Sequence, residues 1–160
     1  MNNKEDLIKI LESVIDIEHT TFVCFNYIAS LLKNGRIRTR FYNLAKDAQK
    51  NKEYLINKLK EIGVTDFVLE EKCKFCRLKP ESFSLLGAFN LGIEINKVAI
   101  KLYDTLLDLT KDNKEKILLK RIIKIKNNQI DFLKKEKMFS EQKEAEDIIS
   151  NYCIPKIISK

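Results

Sequence analysis

Tryptophan is absent, histidine occurs once (His19), and proline occurs only twice (Pro80, Pro155) in 160 residues. Four glycines complete the helix-breaking residues: Gly35, Gly63, Gly87 and Gly92. So few interruptions exclude the turn-dense patterning of an all-β domain and leave room for long helices. No apolar run is long enough to span a bilayer, so no membrane partner is expected. The segment MNNKEDLIKILESVIDIE carries acids where a secretion signal would have its apolar core, and no such signal is expected. On that reading the chain is cytoplasmic. Its four cysteines are then expected to be thiols or metal ligands rather than disulfides.

What is present describes a globular chain. Hydrophobic residues make up 44% and charged residues 33%, which is too apolar for a disordered chain and of the right length for one core. The formal net charge is +7, which invites a nucleic-acid partner. The charge is mostly lysine spread along every helix, whereas phosphate recognition favours clustered arginine. The one such cluster, Arg36, Arg38 and Arg40 in GRIRTR, falls at an expected helix-helix turn. The basic surface is therefore read as solvated, and nucleic acid is not an expected partner.

Apolar residues recur at spacings of three and four in four long stretches. The first helix is expected from about Lys4 to Lys33, with Leu7, Leu11, Val14, Ile15, Phe22, Phe25, Ala29 and Leu32 inward. Asn34-Gly35 reads as its stop. The second is expected from about Ile37 to Ile62, ending at Gly63, with Phe41, Leu44, Ala45, Leu55 and Leu59 inward. A long connection, about residues 64–82, carries the Cys73-Lys74-Phe75-Cys76 turn. The third runs from about Phe83 to Thr110 and the fourth from about Lys114 to Lys137. Ser140-Glu141-Gln142-Lys143 reads as the start of a separate short helix. The expected layout is a bundle over 1–138 followed by a short helix and tail over 139–160.

The second pair of helices repeats the first. A shift of 78 residues superimposes the faces without a gap: Ile15 on Ile93, Phe25 on Tyr103, Phe41 on Leu119, Leu55 on Leu133. Two similar helical hairpins joined by one long crossover make an antiparallel four-helix bundle. The same shift aligns the polar interruptions of the apolar faces. Glu18 falls on Asn96, Ala48 on Lys126, and Asn51 on Gln129. All six are expected to converge at the bundle centre.

This arrangement resembles the ferritin-like superfamily, and within it the rubrerythrin-like branch. IDIEHTTFVCF is similar to the family's first helix, FYNLAKDAQKNKEYLINKL to its second, LGIEINKVAIKLY to its third, and LLKRIIKIKNNQIDFLKK to its fourth. The resemblance covers about Leu7 to Met138. It implies a Glu from the first helix of each hairpin and Glu-x-x-His from the second, together holding two iron ions. It also implies a homodimer.

The six implied ligand positions are Glu18, Ala48, Asn51, Asn96, Lys126 and Gln129, and only Glu18 keeps a ligand of the family type. Lys126 puts a cation where a carboxylate should bridge. The implied site needs two histidines, and His19 points about 100° away from Glu18 around its helix. No cofactor is therefore expected in the core, and the di-iron chemistry is expected to be lost. Lys126 is expected to pair with Glu18, with Asn51, Asn96 and Gln129 completing the hydrogen bonds; the alternative is that Lys126 snorkels out to solvent and Glu18 bonds a water.

Cys73 and Cys76 form half of a zinc or rubredoxin-type knuckle. Three readings stand: a free pair of loop thiols, a zinc site completed by Cys153 or a second chain, and a redox disulfide. Two functions follow. One is a non-catalytic ferritin-like module for binding or structure. The other is a metal-binding or oxidoreductase protein with a non-standard site around Glu18 or Cys73 and Cys76, where iron would return.

Overall fold

The computed structural model describes residues 3–69 and 84–152, without the side chains of 145 and 147–152. Four helices follow in order: α1 (Asn3–Leu31), α2 (Gly35–Glu61), α3 (Leu85–Leu109) and α4 (Asn113–Tyr152). Each lies within a few residues of its expected span except α4. The helices pack α1 on α2, α3 on α4, and α1 along α3. Between α2 and α4 runs an open groove lined by residues such as Leu44, Asn43, Ile125 and Phe132. The architecture is the all-α four-helix bundle expected from the repeat.

Local chemistry explains where the helices begin and end. Asn34 is not the stop of α1 but the N-cap of α2. Its side-chain oxygen accepts from the amides of Arg36 (3.0 Å) and Ile37 (3.2 Å), which have no partner inside the helix. Just beyond α2 stands Gly63, the only described residue with a left-handed backbone (φ 96°). That turn lets Val64 N donate to Leu59 O at 2.9 Å and Gly63 N to Lys60 O at 3.0 Å, closing the last carbonyls. Ser84 caps α3 by accepting from Gly87 N at 3.0 Å.

The separate helix expected from Ser140 does not exist. α4 runs 40 residues without a break, and side-chain pairs span the expected gap: Lys137 with Glu141 at 3.9 Å, Gln142 with Glu146 at 3.4 Å. Neither glycine nor proline stands there, so serine's cap preference yields to propagation of an existing helix. The division of the chain at 138/139 therefore has no counterpart in the backbone.

The core joins all four helices. Phe25 of α1 meets Phe41 of α2 edge-on at 5.4 Å, and Phe41 stacks on Phe89 of α3 at 6.2 Å. Burying each ring contributes about 2–3 kcal/mol. α4 approaches α3 closely at Gly92, where an added Cβ would lie 2.9 Å from Leu133 Cδ1. Burial follows the 78-residue repeat: Phe25 and Tyr103, Leu55 and Leu133, and Glu18 and Asn96 are all enclosed.

Candidate functional site: a buried ion pair at the bundle centre

Glu18 stands in the middle of α1 and is fully enclosed. An isolated carboxylate there would cost many kcal/mol, so it needs a partner. Lys126 of α4 supplies one. Its Nζ lies 2.5 Å from Glu18 Oε1, with the side chains 4% and 0% exposed. The other oxygen, Oε2, accepts from Asn51 Nδ2 at 3.4 Å. The ammonium also lies 5.6 Å from the centre of the Tyr103 ring, a cation–π contact in a dry site.

Tyr103 completes this group from α3 and is fully buried. Burial first, and the facing Glu18 carboxylate second, push its phenol well above the ordinary tyrosine range. Its buried hydroxyl has no hydrogen-bond partner within ordinary geometry. Spacing alone marked Tyr103 as core packing. The signal for more was its place on the face of α3 that carries Asn96, two turns away.

The expected amide network forms only in part. Asn51 reaches Glu18, but Asn96 is fully enclosed with both amide atoms lacking a hydrogen-bond partner. Gln129 lies half-buried in the α2–α4 groove. Ala48 is buried and adds no polar atom.

Beside this centre lies a second pairing that the sequence did not announce. Lys52 Nζ sits 3.3 Å from His19 Nδ1 and 5.2 Å from the Phe22 ring. Burial and then Lys52 lower the His19 pKa, while Asp16 opposes them. Burial likewise lowers that of Lys52, against Glu53. Spacing gave no signal for it, because neither residue interrupts an apolar stripe.

Cys73, Cys76 and Cys153 lie outside the described residues. Cys24, fully buried on α1, is disulfide-bonded, which corrects the expectation of thiols or ligands throughout.

The ferritin-like pattern implies a di-iron centre, and the residues at its positions do not fit one. Two ferrous or ferric ions need several carboxylates and imidazoles. Here one carboxylate is already neutralised by an ammonium at contact distance. Among the described residues, no three His, Cys, Asp or Glu side chains converge closely enough to hold a metal ion.

Neither a family model nor a curated protein matches the sequence. Solved structures do match the fold. A ferritin-like diiron-carboxylate protein from Bacillus anthracis superimposes with a TM-score of 0.73 at 16% identity, over 84% of this chain and 97% of that one. The bacterioferritin of Desulfovibrio desulfuricans gives 0.72 at 17% identity, over 88% and 83%. With such low identity the likeness speaks for architecture alone, and on it this chain has the ferritin-like four-helix-bundle fold.

Proposed function

We propose that this protein is a non-catalytic ferritin-like bundle, nearest to the rubrerythrin-like branch, that has exchanged its di-iron site for the Glu18–Lys126 ion pair. It serves as a binding or structural module. One observation carries the reading: an ammonium, itself 4% exposed, lies 2.5 Å from the only carboxylate at the six positions. A metal ion at Glu18 would have to displace that ammonium and leave it buried without a partner, at a cost of several kcal/mol. Oxygen activation and ferroxidase chemistry need redox-active iron held by basic ligands, and the six positions offer one carboxylate, already paired.

Elemental analysis of protein purified without an affinity tag tests the reading. The expected result is no stoichiometric iron or manganese after growth in medium supplemented with both. Iron or manganese near one ion per chain, lost in Glu18→Gln, overturns it. Zinc lost in Cys73→Ser instead would assign a knuckle separate from the bundle centre.

A further inference from the structure

Lysine is spread along the chain, but folding does not spread it evenly over the bundle. α1 and α3, which pack together, carry four lysines against eight carboxylates. α2 and α4, which stand across the groove, carry eighteen basic residues against ten acidic ones. The bundle therefore has an acidic face and a strongly basic one.

The groove between α2 and α4 lies in the basic face. Its volume is about 220 Å³. The helical repeat carries its lining rows on to Lys46 and Lys50 of α2 and to Arg121, Lys124 and Lys135 of α4, all exposed. None of these five takes part in an ion pair among the described residues. Asp47 in the lining and Asp131 beside it are the acids on the same rows. Arg40 adds a sixth cation, already placed 4.0 Å from the centre of the Phe132 ring. Held there without a carboxylate partner, its guanidinium loses little freedom on gripping a phosphate.

The lining is not merely basic. Asn43 of α2 and Asn128 and Gln129 of α4 bring amides from both sides, with the donors and acceptors that read base edges. A duplex would turn its phosphates to this groove and keep its base edges out of reach. A flat bilayer could not enter it. A single strand offers phosphates and open bases together.

We infer that the α2–α4 groove binds single-stranded nucleic acid, with phosphates along Lys46, Lys50, Arg121 and Lys124 and bases toward Asn43, Asn128 and Gln129. This names a partner for the binding module proposed above. Strand binding and metal content are measured separately, so either reading can fail without the other.

Fluorescence anisotropy of the full chain with short fluorescein-labelled oligonucleotides tests this. RNA and DNA single strands of one mixed sequence are compared with the matching DNA duplex, and flotation with phosphatidylserine–phosphatidylcholine vesicles is run beside them. Saturable binding of a single strand is expected, tighter than that of the duplex. Its log affinity should fall against log salt with a slope of roughly −3, from about four phosphate contacts. The tighter of the RNA and DNA strands identifies the polymer. Lys50→Gln with Lys124→Gln removes two contacts, so binding should weaken about tenfold and the slope shrink by about 1.4. Lys97→Gln with Lys101→Gln, on the acidic face, should change neither. Absence of saturable strand binding overturns the proposal. So does duplex binding as tight as that of the strand, binding to vesicles but not to strands, or an equal loss from the α3 variant.

Discussion

At the scale of single residues, the Glu18–Lys126 pair dominates because each charge is tolerable only through the other. Lys126→Met leaves a bare buried carboxylate, and Glu18→Gln leaves a bare buried ammonium. Each single variant should lose about 3–5 kcal/mol in urea denaturation, and the double variant should lose clearly less than their sum. Additive losses would mean that the two groups do not interact. His19 offers a second test, since it is the chain's one imidazole and gives one resolvable proton signal. Its NMR titration should fall below the usual 6.5, and Lys52→Met should move it up, since Lys52 is one of the groups that lower it. The sign for stability follows. Just below pH 6.5 the unfolded imidazole takes up a proton that the folded one refuses, so stability falls as the medium is acidified through that window. The ion pair was legible in the sequence because a lysine in the middle of an apolar stripe has few acceptable explanations. The Lys52–His19 contact was not, because neither residue interrupts such a stripe. The partnerless Asn96 was not legible either, since spacing says where a side chain stands and not what its amide finds there.

At the scale of helices, the caps carry testable weight. Gly63 has φ 96°, and an added Cβ would meet no atom within 4 Å. The cost of Gly63→Ala is then purely that of the left-handed backbone, about 1–2 kcal/mol, seen as a lower urea midpoint with an unchanged slope. Asn34→Ala should cost about 1 kcal/mol by leaving the Arg36 and Ile37 amides without an acceptor. A larger loss than either would point to tertiary contacts at those turns. Helix existence could be read from periodicity, because four stretches keep one apolar face for six or more turns. The end of the fourth could not. Ser140 favours a cap locally, but capping preference is decided by whether a helix already arrives from the other side.

For the whole molecule, the two hairpins join along α1 and α3, while α2 and α4 stand across a groove. Charge bridges that groove at both ends. Arg36 grips Glu136 through two nitrogens at 3.0 and 3.1 Å, and Lys58 pairs with Glu115. Arg40 adds a contact 4.0 Å from the Phe132 ring. These partly exposed pairs contribute about 0–1 kcal/mol each, far less than the α1–α3 seam. Hydrogen exchange should therefore be slowest in the central turns of α1 and α3 and faster in α2 and α4. Slowest exchange in α2 or α4 would overturn that ranking. The hairpin repeat made this layout readable in advance, because a 78-residue shift without gaps fixes which faces meet. The groove was not readable, since it depends on how far apart two outer helices are held.

Apolar side chains are interchangeable in a way that charges are not. A leucine stripe slid one turn along another finds new leucines and loses little. Lys126 has no such second choice. A one-turn slip of α4 against α1, about 5.4 Å, would carry its ammonium out of reach of Glu18 and strand two ions in hydrocarbon. Aliphatic packing alone leaves the lengthwise alignment of the two hairpins loosely specified, and this pair pins it to one setting.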